Sequence, residues 1–321
     1  MIIIAALRLL TIAYAKILRR PICLSDISDV DGIVSASLFK MKFPQGIVVL
    51  AGPREAAKSP ILRLPTWDFV ADLPCPGKVR VRADHHKTNK PCAEREYYDD
   101  KAPCAALLAL RALGLEESSL AKKLVGLSIE TDTANIKSSE ARALDSAIKG
   151  APYWGKLYLV ERLSREGLNC LNDERVKGWM DRAEAAKRRT EYVSTLIPVE
   201  RTTIVVFRKD IRIFYRYLSI LLERRGAEFT SLIVPRGLFS IRIYLGAQPT
   251  SPYDASILAL KYGGGGHKVA AGALIQCAFR ERVIRRILRD LKEYLGTSTM
   301  KYLEVLGSHE NIEVVTRTLS D

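Results

Sequence analysis

The sequence has six cysteines (Cys23, Cys75, Cys92, Cys104, Cys170 and Cys277) but no C-x-x-C pair, and this spacing argues against a structural zinc site. It also lacks an apolar run long enough to span a bilayer. The apolar residues 1–15 are interrupted by Arg8, and Lys16, Arg19 and Arg20 follow them rather than precede them. With no basic start and no small-residue cleavage site, the segment is not expected to be a signal peptide or an anchor. It is expected to be a short helix lying on the body of the protein, or an over-long start. The expected compartment is therefore the cytoplasm, where an intracellular disulfide is reserved for chains of hyperthermophiles. Internal repeats and low-complexity tracts are missing, which sets solenoids aside. Asparagine and glutamine are scarce, as in heat-adapted proteins.

What is present is ordinary in one respect and unusual in another. Hydrophobic residues make up 48% and charged residues 27%, as in soluble globular chains. With 321 residues there is room for two domains, each with a core of its own. The formal net charge, however, is +14. That excess favours a polyanionic partner, nucleic acid first.

Strand and helix patterns alternate from residue 21 onward. Short apolar strands are expected at Ile22–Leu24, Ile47–Leu50, Trp67–Ala71 and Val79–Ala83. Helices are expected at Ile33–Met41, Cys104–Leu113, Ser118–Thr131 and Ser138–Lys149. Such alternation means a mostly parallel sheet with helices on both faces. Residues from Trp154 to Leu196 read as a charged helical connector. A second α/β pattern follows, with strands Thr203–Phe207, Thr230–Val234, Phe239–Leu245 and Ala273–Gln276 and helices Ile211–Arg225, Tyr253–Tyr262 and Glu281–Leu295. The expected fold class is thus α/β: a mostly parallel sheet domain and a second, smaller α/β domain joined by a helical connector. The boundaries fall at 1–20 for an apolar extension, 21–150, 151–200 for the connector, 201–296, and 297–321 for a tail with no assignment.

The chemistry-bearing residues sit where this pattern breaks. The chain has four histidines, and two of them, His85 and His86, follow Asp84 directly at the end of a strand. In open α/β sheets ligands and catalytic groups collect at the carboxyl ends of strands. Asp29 and Asp31 follow the first strand, in a segment Ser25–Gly32 that reads as a tight loop. Asp72 ends the strand Trp67–Ala71, and Asp132 ends a helix. Carboxylates gathered at one sheet edge repel one another and call for cations. A mixed carboxylate and imidazole set suits manganese, magnesium or iron(II).

Two better-known motifs do not fit. An EF-hand aligned on Asp29 and Asp31 would place Ile27 and Leu38 at its first and last ligand positions, and neither can chelate. The run Gly263-Gly264-Gly265-Gly266-His267 matches neither the P-loop nor the dinucleotide fingerprint. Its backbone N–H groups can still approach an anion closely, and His267 and Lys268 follow at once, so a phosphate or base contact is expected there.

Taken in order, Asp29-Val30-Asp31-Gly32, Asp72-Leu73-Pro74, Asp84-His85-His86, Thr131-Asp132-Thr133-Ala134-Asn135 and Gly263-Gly264-Gly265-Gly266-His267 resemble the DHH phosphoesterase superfamily, in its archaeal RecJ-like and oligoribonuclease-like branch. The resemblance covers residues 21–296. It implies a DHH domain that binds two divalent ions, usually manganese with magnesium as the substitute, and a DHH-associated domain that holds the substrate. Carried over, Asp29 would hold one ion and Asp31 the other, with Asp72 bridging both and His85 and Asp132 completing the ligand set of the second ion. Asp84 would orient from behind, and His86 would contact the scissile phosphate. Arg242, Gly264, Gly265, Gly266 and His267 would meet the substrate.

One departure stands out. The family usually carries a histidine or aspartate two or four residues before the first-motif aspartate, where this chain has Ile27 and Ser25, which leaves Asp26 as the substitute ligand. The activity implied is a manganese-dependent phosphodiesterase or exonuclease on short single-stranded RNA or DNA. The alternatives are a diesterase or phosphatase for small nucleotides, and an inactive replication scaffold. Replication or repair proteins and a homodimer remain as partners, and no membrane is expected.

Overall fold

Buried strands that alternate with amphipathic helices organise the first 184 residues. The computed structural model describes residues 2–308 and 311–319; Met1 of the extension and residues 309–310 and 320–321 of the tail lie outside it. The described chain divides into two compact units, Met1–Glu184 and Ala185–Asp321. The first contains α1 (Ile2–Ile17), β1 (Ile22–Asp26), α2 (Val30–Lys42), β2 (Ile47–Ala51), α3 (Pro53–Lys58), α4 (Pro60–Arg63), β3 (Trp67–Ala71), β4 (Val79–Asp84) and β5 (Arg95–Tyr98). It continues with α5 (Ala105–Ala112), α6 (Ser119–Asp132), α7 (Ser139–Gly150), α8 (Tyr153–Glu166), a 3-10 turn (Gly167–Asn172) and the N-terminal part of α9 (Glu174–Leu196), within which the division falls.

Among the described residues the first sheet has five strands in the order β2-β1-β3-β4-β5, all parallel. The period-two side-chain alternation divides β1, β2 and β3 between two cores, with Trp67 and Val79 at the strand starts falling out of that phase. Cys23, Phe69, Ala71 and Ala83 pack with α2, α5, α6, α7 and α8. Ile22, Leu24, Trp67, Val70 and Val79 pack on the opposite face with Ile12 and Ala15 of α1, Ala56 of α3 and Leu62 of α4. The register sets the site: Ser25 pairs with Ala71, and Ala71 with Ala83. Asp26, Asp72 and Asp84, each one residue further on, therefore reach the carboxyl edge in one row.

Several local expectations change. The first-motif segment is not a loop closed by Gly32. β1 runs on to Asp26 and α2 begins at Val30, because the Asp29 side chain accepts from Gly32 N at 3.1 Å and caps the helix. A Cβ on Gly32 would lie 2.3 Å from the Asp26 carbonyl oxygen, so only glycine allows the helix to start against the strand end. The edge strand β5 has no counterpart in the sequence reading. Residues 151–184, read as part of a connector, belong to the first unit: Leu159, Leu163, Cys170, Val176 and Trp179 point into its core. Cys75 and Cys92 form a disulfide.

The second unit adds β6 (Thr202–Phe207), α10 (Tyr215–Arg224), β7 (Phe229–Pro235), β8 (Ser240–Ala247), α11 (Ala255–Lys261), β9 (Gly265–His267), β10 (Ala270–Gln276), α12 (Arg280–Leu295), β11 (Lys301–Ser308) and β12 (Asn311–Thr318). Its described strands form a mixed seven-stranded sheet, β12-β11-β6-β7-β8-β10-β9. The tail is therefore a hairpin, and β11 lies parallel to β6. Helix α10 starts at Tyr215 rather than Ile211, since Ile211 N donates to the Tyr215 hydroxyl and Phe214 N to Thr190 Oγ1, which holds those residues out of the helix.

Candidate metal centre

The carboxyl edge of the first sheet gathers the predicted residues of the first four motifs. Asp26, Asp29 and Asp72 each place an oxygen within 4.8 Å of the others. Asp31, His85 and Asp132 do the same, and so do Asp72, His85 and His86. The three groups share Asp72 and His85, so the whole set is continuous.

His85 follows β4, and its Nδ1 donates to the Ala102 carbonyl oxygen at 3.1 Å. That leaves Nε2 bare, the arrangement typical of a metal-binding imidazole. Nε2 lies 3.5 Å from Asp132 Oδ2, 3.8 Å from Asp31 Oδ2 and 3.9 Å from Asp72 Oδ1. These separations are too long for hydrogen bonds and leave room for an ion between the groups. Asp72 is almost fully buried, its Oδ1 has no hydrogen-bond partner, and its φ of 57° is left-handed. An orphaned buried carboxylate oxygen on a strained backbone suits a cation that completes it. The residues present thus fit divalent ions.

The electrostatics point the same way. Burial, and the neighbouring Asp29, push the Asp26 carboxyl up to about 7. Burial with Asp29 and Asp132 lifts Asp31 to about 6. Asp72 is raised well above the ordinary carboxylate value by burial and by Asp31, Asp29, Asp26 and Asp132. Asp132 is also raised, by burial and Asp29 against the pull of His85. Asp132 closes the C-terminal turn of α6, where the helix dipole disfavours an acid, so its position is set against local preference.

Asp31 and Asp84 have further tasks. The Asp31 oxygens accept from Ala105 N and Ala106 N, both at 2.7 Å, and from Ser128 Oγ at 2.9 Å. Cys104, the cap residue of α5, makes no side-chain cap, and Asp31 supplies it from 74 residues away. Asp84 is fully buried and accepts four hydrogen bonds. Oδ1 takes His86 N at 3.2 Å and His86 Nδ1 at 3.0 Å; Oδ2 takes Asn89 Nδ2 at 2.7 Å and Arg82 Nη1 at 3.1 Å. Burial alone would raise this carboxyl, but His86, Asn89 and Arg82 hold it below its ordinary value. The same bond to Asp84 raises His86, whose side chain is half exposed.

Three residues here escaped the sequence reading. Asn89 and Arg82 lie within the predicted motif region but carry no motif signal. Lys156, on α8, places Nζ 2.6 Å from the Ile27 carbonyl oxygen, and burial lowers its pKa against the pull of Asp26 and Asp29. No sequence pattern links it to a loop 129 residues earlier.

The second unit holds the remaining predicted residues. Arg242 and Tyr244 alternate on one face of β8, with the guanidinium 5.4 Å from the Tyr244 ring centroid. Across the sheet Tyr244 pairs with Gly272 and Gly272 with Gly265; Gly246 pairs with Ala270 and Ala270 with His267. Paired residues share a face, so a floor of glycine and alanine lies between the exposed Arg242 and the exposed His267. Gly264 directly follows α11, and Gly266 has a φ of 138° that favours glycine. The run is thus a helix end leading into an edge strand.

No protein-family model and no curated protein matches the sequence. Solved structures do. A pGpG-specific phosphodiesterase, PggH from Vibrio cholerae, superposes with a TM-score of 0.59 at 17% identity, over 86% of this chain and 100% of its own. The exonuclease RecJ bound to manganese gives 0.58 at 13% identity, over 91% and 93%. RecJ from Thermus thermophilus in complex with Mn2+ gives 0.54 at 16% identity, over 91% of this chain and 54% of that one. The fold expected from the DHH resemblance is therefore the fold observed: this chain is built as RecJ and the PggH phosphodiesterase are built.

Proposed function

We propose that this chain is a DHH phosphoesterase that uses two divalent ions, manganese first, to hydrolyse short single-stranded RNA or DNA down to dinucleotide size. The observation that carries the reading is the bare His85 Nε2 facing three carboxylates, beside the orphaned Asp72 oxygen. Asp26, Asp29 and Asp72 would hold one ion, with Asp26 in place of the usual first-motif histidine, and Asp31, His85 and Asp132 the other, with Asp72 available to both. When bound, the ions would supply an activated water and neutralise charge developing on the phosphoryl group. Asp84 fixes the His86 imidazole, whose free edge donates to a phosphate oxygen or to the leaving group. Lys156 adds a positive charge beside Asp26 and Asp29. Arg242, Gly264, Gly265, Gly266 and His267 bind the phosphates and bases of the strand without reading sequence.

The small-substrate end of this range is supported by the likeness to the pGpG-specific phosphodiesterase, which this chain matches over 100% of that protein's length. The test is a product time course with manganese on end-labelled RNA and DNA from dinucleotides to long strands, with cyclic dinucleotides and 3′-phosphoadenosine phosphate alongside and His85→Ala as the blank. Cleavage lost in the variant supports the reading, and the length profile ranks the substrates. If none of these compounds is cleaved while manganese binds, the proposed substrate class is wrong. If manganese does not bind, the centre itself is.

A further inference from the structure

Of the two arginines in the strand Val79–Asp84, Arg80 faces solvent. Arg82 does not: its side chain has no exposed surface. Its Nη1 donates to Asp84 Oδ2 at 3.1 Å, and its Nε donates to Glu96 Oε2 at 3.0 Å. Glu96 sits directly opposite on the edge strand, in register with Arg82. The other Glu96 oxygen accepts from Cys92 N at 2.6 Å and Ala93 N at 2.7 Å, so the carboxylate is held on both sides. The result is a continuous chain of contacts from the Cys92 backbone through Glu96, Arg82 and Asp84 to the ring of His86.

Stability alone does not account for this arrangement. A buried ion pair is often no better than apolar residues of the same volume, because removing the charges from water costs as much as their attraction returns. Arg82 also leaves Nη2 buried with no partner, a further cost. What the guanidinium does achieve is geometric. With all four acceptor positions occupied, Asp84 has one orientation, and the His86 imidazole bonded to it has one as well.

We infer that Arg82, held by Glu96, is a positioning residue: it fixes the Asp84 carboxylate and, through it, the His86 ring. This rests on the reading of His86 given above. The test uses the full chain with Arg82→Met, Arg82→Lys and Glu96→Gln. In Arg82→Met, kcat is expected to fall by about 10- to 100-fold with KM and manganese affinity little changed. Arg82→Lys, which keeps the charge on Asp84 but cannot span to Glu96, should recover part of the loss. The proton NMR signal of His86 Nδ1–H reports the bond to Asp84 without any substrate, and should shift or broaden in Arg82→Met and Glu96→Gln. If Arg82→Met fails to fold, the other two variants decide by the same readings. An active wild type with unchanged kcat and an unchanged His86 signal in the folded variants overturns the inference. An inactive wild type overturns the proposed function instead, and the His86 signal still decides the positioning role.

Discussion

The two units solve different problems with sheets of different construction. In the first, every described strand runs the same way, so the strand ends are level and three of them deliver Asp26, Asp72 and Asp84 to one edge. These groups are buried, and most of the cluster carries raised carboxyl pKa values. In the second unit the sheet is mixed, and its antiparallel edge presents a glycine floor flanked by exposed Arg242 and His267. The first unit concentrates an unresolved charge conflict that a cation can relieve, and the second exposes Arg242 and His267 on one face of its sheet edge. A chain of net charge +14 thus keeps a buried acidic cluster in its first unit, while basic residues such as Arg80 and Lys87 of that unit and Arg242 of the second face solvent.

The sharpest way to break this contrast is to remove the conflict. Asp72→Asn or His85→Ala should lower kcat by about a thousandfold or more and abolish tight manganese binding, with no change in the folded-state spectrum. Steady-state kinetics with isothermal titration would show it, and retained turnover in both variants would remove the centre. Substitution in the second unit should act on binding instead. Arg242→Ala and His267→Ala are each expected to raise KM about tenfold while leaving kcat and manganese affinity near wild type. A selective loss of kcat would mean that the division of labour between the units is misassigned.

Much of this contrast was legible in the sequence because it follows from strand periodicity. Alternating apolar residues before Asp72 and Asp84 mark strand ends, and residues at strand ends of a parallel sheet share an edge. What was hidden depends on contacts distant in the chain. Asp31 looked like a loop ligand, yet it also caps a helix that begins at Ala105. Arg82 carries no motif signal, and nothing local shows that Glu96 would cover it. Strand β5 is only four residues long, with Arg95 and Glu96 in it, so it shows no apolar run. Residues 151–184 look too charged for a core, but Leu159, Leu163 and Val176 fall on the inward side of their helices and the charges fall outside. The tail hairpin was missed because β12 is at most half buried along its length.

The first unit also differs in having a covalent tie: Cys75 and Cys92 are joined, and among the described residues the second unit has no disulfide. Cys75 lies three residues past Asp72, and Cys92 donates its N–H to Glu96, so the bond joins the segments that flank Arg82. A closed loop of 17 residues is expected to contribute about 3 kcal/mol through the unfolded state. Chemical denaturation of Cys75→Ser/Cys92→Ser against the oxidised wild type should show that loss in the first transition and leave the second unit unaffected. Equal midpoints would mean the two thiols are not bonded in solution.

The smallest expected effect tests the charge conflict without any substitution. Asp26 and Asp31 titrate near 7 and 6 in the folded chain, and Asp72 and Asp132 are also raised, against an ordinary carboxyl value of 3.8 when unfolded. The folded state therefore holds more protons than the unfolded state between these values, and stability must fall as pH rises through that window. Asp84, whose carboxyl is lowered, acts oppositely, but its contribution is lost only as pH falls below the ordinary carboxyl value. In chelator-treated protein the melting temperature of the first unit should decline from about pH 5 to about pH 8. Saturating manganese binds the ionised carboxylates and releases their protons, so its stabilising shift should be small at about pH 5 and grow by about pH 8. Scanning calorimetry at both pH values, with and without the ion, would decide it. A manganese shift of equal size at the two pH values would mean that the ion binds away from this cluster, and the raised carboxyls would then be only a cost of burial, with no ligand to relieve it.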